Sequence, residues 1–160
     1  MIAVSNTTPI LSLYKIGRIH LLKDLLGQVI VPVAVYNEIA VLGKDKPGHD
    51  TFDTAEFISV KPIQSTLAAG LLRPQLDYGE AEAIVLAREL NADILLLDEI
   101  KARKVAQANS QRIIGTIGII QAAKRNGIVP SVKSCLDELI AQGIWIDRRL
   151  YQEVVTNNNE

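Results

Sequence analysis

The chain has 160 residues, 48% hydrophobic but only 4% aromatic, which suits one domain with an aliphatic core. A formal net charge of −1 excludes a globally basic nucleic-acid binder and leaves only local basic patches. The single cysteine, Cys135, excludes an internal disulfide and a cysteine-based zinc site.

In chain order, Ile2 to Ser5 reads as a short buried strand. The amino terminus MIAVSNTTPI lacks the basic-then-apolar pattern of a signal peptide, and no apolar run reaches the length of a membrane span. With one cysteine, this composition fits a reducing cytosol, so a cytoplasmic location is expected. Thr8 can cap a helix with Pro9 in its first turn, and helical material from Pro9 to Leu26 is interrupted at Gly17. Gln28 to Val31 reads as a second strand, and Pro32 opens a helix through about Leu42. Gly43 to Asp53 carries glycine, proline and charges and reads as an exposed connection. Phe57 to Lys61 is a strand candidate, and Gln64 to Arg73 is an ambiguous stretch with room for a helical turn.

The second half alternates more clearly. Helices are expected over Gly79 to Leu90, Ile100 to Asn109 and Thr116 to Asn126, and strands over Asp93 to Leu97 and Arg112 to Ile114. Strands alternating with helices of this length predict an α/β fold with a parallel sheet and helices on both faces. Val132 to Gln142 adds a helix with Val132, Cys135, Leu136 and Leu139 on one face. Tyr151 to Glu160 ends in three asparagines and reads as a frayed tail. The organisation expected is one domain over residues 1–150 and a carboxyl-terminal tail over 151–160, with no repeat.

Asn6 and Asp98 both follow apolar strands, IAVS and DILLL, and ligands of open parallel sheets bind beyond the carboxyl ends of strands. The structural alternative for Asp98 is a cap on the helix beginning near Ile100. Glu38 follows Val35 by three residues and borders the apolar stripe of Val35, Ile39 and Leu42; an acid there needs a partner or a metal. Glu80 falls on the inward side of its helix with Ala83, Ile84 and Ala87, but Asp77-Tyr78-Gly79-Glu80 also has the spacing of a capping box. Glu82 is expected to be solvated. Converging carboxylates repel one another unless a cation intervenes, and hard divalent cations take oxygen ligands. Such a site can position water for phosphodiester hydrolysis.

Four stretches in order, VSNTTPILSLYKIGRIHLL, VIVPVAVYNEI, LDYGEAEAIVLARELNADILLLDE and RIIGTIGIIQAAKRNGIVPSV, resemble the PIN domain, a metal-dependent ribonuclease fold, and within it a bacterial and archaeal branch of unassigned function. They cover most of residues 1–142. The resemblance implies a three-layer α/β/α sandwich around a central parallel sheet. It also implies magnesium or manganese held by Glu38, Glu80 and Asp98. Relatives usually carry Asp where this chain has Asn6, followed by a small hydroxyl residue, here Thr7. Thr116 matches a position that can assist the metal or its water, or it is a helix cap, and Glu99 is either a further acid near the metal or an exposed first-turn residue. Many relatives are toxins of toxin–antitoxin pairs and usually dimers, so an antitoxin protein and a homodimer are expected partners, with RNA, expected to be single-stranded, as substrate.

Lys101 and Lys104, in the helix after Asp98, can contact phosphates; Arg103 reads instead as part of a solvated face. His20 and His49 have no partner at ligand spacing. Tyr14, Tyr36 and Tyr78 can stack on bases, though packing is the commoner fate, and Trp145 reads as a packing anchor or an interface residue. No GxGxxG or GxxxxGK loop is present, which disfavours dinucleotide enzymes and NTPases. Two readings stand: a divalent-metal-dependent endoribonuclease, and a catalytically degenerate module that binds nucleic acid or protein, motivated by the amide at Asn6.

Overall fold

The computed structural model describes residues 1–160. Five short strands form one all-parallel sheet: β1 (Ala3–Ser5), β2 (Val29–Val31), β3 (Ile58–Val60), β4 (Ile94–Leu96) and β5 (Ile113–Ile114), in the order β3-β2-β1-β4-β5. β1 aligns Ala3 with Val29 of β2 on one side and with Ile94 of β4 on the other. The chain thus winds outward from β1 to β3, returns, and winds outward again on the opposite side. The reversal lies between β1 and β4, so the crevice beyond their carboxyl ends is the topological switch point of the sheet.

Parallel strands buried on both faces read as near-continuous apolar runs, and here only Ser5 and, on the exposed edge strand β3, Ser59 interrupt them. Side chains alternate between the layers. Ala3 and Leu96 join the core that contains Leu13, Leu22, Ile119 and Leu136. Val4, Leu95 and Leu97 join the opposite core with Leu86, Ala102 and Ala106. The first core is covered by α1 (Thr7–Lys15), α2 (His20–Leu26), α8 (Thr116–Arg125) and α9 (Val132–Ala141). The second is covered by α6 (Tyr78–Glu89) and α7 (Ile100–Ala108). The three-layer α/β/α sandwich with a central parallel sheet is therefore as expected. No helix is long and apolar enough to cross a membrane.

Several local expectations shift. The first helix begins at Thr7 rather than after Thr8, with Asn6 in extended conformation at its cap position and no side-chain cap bond. The helix after Pro32 is not regular: α3 (Val33–Tyr36) passes into a π-helical turn over Asn37–Val41, and that turn carries Glu38. The connection after Gly43 contains a helical turn, α4 (Thr51–Thr54), with Thr51 fully buried. The ambiguous stretch before Arg73 is helical, α5 (Thr66–Leu72), capped by the Ser65 hydroxyl.

The stretch expected to fray is instead the helix α10 (Arg148–Asn157), capped by Asp147, with Val154 and Val155 buried against the first core. Glu160 fastens its end. The carboxylate accepts from Lys124 Nζ at 2.8 Å, from the Ser131 hydroxyl and from the Val132 N–H at 2.8 Å, at the amino terminus of α9. Local polarity hid this anchor, because every partner lies more than 25 residues away in sequence. Lys124 foremost, then Ser131, holds the Glu160 carboxyl down to about 2, below its ordinary 4.5. A lowered carboxyl contributes stability above its unfolded value and loses it as pH falls through the folded one. Glu160→Gln should therefore melt below wild type at pH 7, and the gap should close between about pH 4.5 and 2; circular dichroism melts across that range check it.

Candidate functional site

Asn6 follows β1 directly, and its N–H donates to Leu96 O of β4 at 3.1 Å, so it sits at the switch point. The residue is 4% exposed, and its side-chain oxygen Oδ1 is buried without a hydrogen-bond partner. A buried carbonyl oxygen without a donor is unfavourable and calls for an explanation such as an ion or a water.

Asp98 lies two residues beyond β4. It does not cap α7, whose cap position is Glu99. Its two oxygens instead reach the start of α8, accepting from Thr116 N at 2.7 Å and from Thr116 Oγ1 at 2.6 Å. The hydroxyl and the first-turn N–H fix the Asp98 rotamer, and the carboxylate complements the positive end of that helix. Thr116 is 5% exposed and is the first helical residue, after Gly115 at the cap. A Cβ on Gly115 would sit 2.7 Å from Asp98 Oδ1 and 2.9 Å from Arg103 Nη1, so only glycine lets both side chains approach there. Arg103 is half-buried and donates to Leu97 O at 2.8 Å. It is a fixed cation near Asp98, not the solvated face expected of it.

Glu38 faces this crevice from the π-turn and is half-buried. One oxygen accepts from the Thr7 hydroxyl and the other from the Gly79 N–H at 3.0 Å. The π-turn is a common distortion at functional sites. Burial pushes the Glu38 carboxyl up, the charges of Asp77 and Glu82 add to this, and the Thr7 and Gly79 donors oppose it. A Cβ on Gly79 would lie 2.6 Å from Glu38 Oε1. Gly79→Ala, favourable for the helix by roughly 1 kcal/mol, should displace that carboxylate. The expected result is a melting temperature close to wild type with manganese affinity reduced at least about tenfold, read by calorimetry and melting together.

Glu80 is 7% exposed and completes the anticipated capping box. Its Oε1 accepts from Asp77 N at 3.1 Å while its own N–H donates to Asp77 Oδ1 at 2.8 Å. Burial foremost pushes the Glu80 carboxyl up, and the charges of Asp77 and the exposed Glu99 act the same way. Glu82, expected in solvent, is half-buried and turned toward the Ala34 N–H at 3.4 Å. Lys101 and Lys104 are exposed on α7.

Asn6, Glu38, Glu80, Asp98 and Thr116 thus lie at strand ends, helix starts and the π-turn, but no three acidic, histidine or cysteine side chains form a ready metal-ligand cluster. Two carboxylates are each held by a hydroxyl and an N–H, and a third is held in its capping box. The donor chemistry fits a hard divalent cation: every candidate ligand is an oxygen, each bonded carboxylate oxygen retains a lone pair, and Asn6 Oδ1 is a buried acceptor with no hydrogen-bond partner. The Gly79 donor has no counterpart among the sequence expectations, and Arg103 is fixed at a strand end where a solvated face is expected. Gly79 carried a signal, since glycine inside a first helical turn marks close approach of a neighbour.

The aromatic residues divide. Tyr14 donates to Asp50 at 2.9 Å, and the Tyr36 and Phe52 rings meet at 4.9 Å. Arg73 lies 3.4 Å over the exposed Tyr78 ring. Trp145 is 83% exposed and is no packing anchor.

The family model described as a PIN domain matches residues 2–160. No curated protein and no solved structure matches the chain.

Proposed function

The chain belongs to the PIN-domain family, and from that premise we propose that it is a divalent-metal-dependent endoribonuclease that hydrolyses phosphodiester bonds of single-stranded RNA. The observation that carries the reading is the buried, unpartnered Oδ1 of Asn6 at the switch point between β1 and β4. Glu38, Glu80 and Asp98 would hold magnesium or manganese, with Asn6 as a neutral ligand. The chemistry such an ion supplies is activation of water and neutralisation of charge on the phosphate.

The chain's own groups have definite tasks. Thr116 holds Asp98 by two hydrogen bonds, so that carboxylate needs little rearrangement on binding. Thr7 and Gly79 do the same for Glu38. The raised Glu38 and Glu80 carboxyls favour a neighbouring cation, because a positive charge relieves both burial and the repulsion from Asp77, Glu82 and Glu99. Lys101 and Lys104 draw the RNA backbone toward the site. The cellular setting that suits this activity is a cytoplasmic toxin–antitoxin pair, with an antitoxin protein as partner and a homodimer as the assembly.

A degenerate binding module is the second reading, favoured by the amide at Asn6 and by the lack of a ready three-acid cluster. Cleavage of mixed-sequence single-stranded RNA in manganese, by wild type and by Asp98→Asn, separates the two. The nuclease reading requires that wild type cut and the variant not. Equal inactivity of both would sink it.

A further inference from the structure

Beyond the acids the same edge opens into a groove of about 440 Å³. Asp98 and Thr116 form part of its lining, and Ile100, Ile144, Trp145 and Leu150 supply apolar surface. The indole is 83% exposed, on the connection between α9 and α10, and it is the only tryptophan in the chain. A large apolar ring left in water beside other apolar side chains marks a surface that something covers.

The charge of the groove says what. Its lining includes the carboxylates of Asp98, Glu99 and Asp147, and no lysine or arginine. A phosphate is repelled from such a surface. A flat neutral ring with amino hydrogens is accepted: the indole stacks on its face, while carboxylate and hydroxyl oxygens take its N–H groups. A second copy seated by two-fold symmetry brings this acidic patch against itself, which like-charge repulsion disfavours.

We propose that this groove is a nucleobase subsite in which Trp145 stacks on an unpaired base next to the phosphate at the acids, selecting adenine, cytosine or guanine over uracil. The inference rests on the RNA reading above, since continuity with Asp98 and Thr116 is what places a nucleotide there.

The test runs without metal, so that RNA stays intact. Six-nucleotide strands of cytidine, of uridine and of abasic ribose, each end-labelled, are titrated against the protein, reading label anisotropy and Trp145 emission. The cytidine strand should quench the indole and bind about tenfold more tightly than the abasic strand, with uridine between them. Trp145→Ala should lose about that factor and Trp145→Phe should keep most of it; so exposed a position leaves folding intact. If the strands bind but wild type and Trp145→Ala have equal affinity and the indole is not quenched, the subsite is wrong while the RNA reading stands. If nothing binds, the subsite is wrong, and if wild type also fails to cut RNA in manganese, the RNA reading falls with it. If emission changes with protein concentration alone and light scattering shows dimers, the groove is a contact between copies and the subsite is overturned.

Discussion

Asn6→Asp should tighten manganese binding by about 10²–10³-fold and raise RNA cleavage with it. Two unit charges about 4 Å apart interact by roughly 4 kcal/mol at an effective dielectric near 20, and each 1.4 kcal/mol is a factor of ten. Desolvating the new carboxylate removes part of that gain. The same substitution should act oppositely on the metal-free protein. The side chain is 4% exposed with no donor on Oδ1, and the raised carboxyls of Glu38 and Glu80 stand at the same edge. A further charge buried there should lower apo stability by about 1–3 kcal/mol. Melting curves with and without manganese therefore give opposite signs for one substitution. A variant less stable under both conditions would remove Asn6 from the metal site.

Asp98→Asn should abolish cleavage, by at least about 10²-fold, while changing stability by only about 1 kcal/mol. The amide keeps one acceptor for the Thr116 N–H, and the Thr116 hydroxyl can turn to accept from the new NH₂ group. Asp98→Ala is the less informative change, because it leaves the nearly buried Thr116 without either partner, at a cost of roughly 1–3 kcal/mol. Initial rates in manganese, set beside melting temperatures, check the pair. If Asp98→Asn cuts RNA as wild type does, Asp98 is a structural brace for α8 and nothing more.

The sheet was legible because buried parallel strands write themselves as short aliphatic runs: Ala3–Ser5, Val29–Val31 and Ile94–Leu96 are all recognisable. The first turn of α6 was legible because a capping box is local chemistry with fixed spacing, and Asp77 and Glu80 obey it. The site was legible only as positions along the chain. Nothing near Glu38 announces a π-turn, since that distortion accompanies bonds to Thr7 and Gly79, 31 and 41 residues away. Arg103 was misread for the same kind of reason: its partner is a backbone carbonyl at a strand end, which no helical-wheel argument contains. α10 carries a helical spacing in Leu150, Tyr151, Val154 and Val155, but the asparagines that follow mask it, and its anchor Glu160 acts at the start of another helix.

The capping box at Glu80 has a wider meaning for the molecule. The carboxylate that closes the first turn of α6 is also one of the three proposed above as metal ligands. The rotamer that stabilises the folded helix is thereby available before any ligand arrives. Folding alone accounts for this carboxylate, so the presence of Glu80 says less about activity than the identity of the residue at position 6.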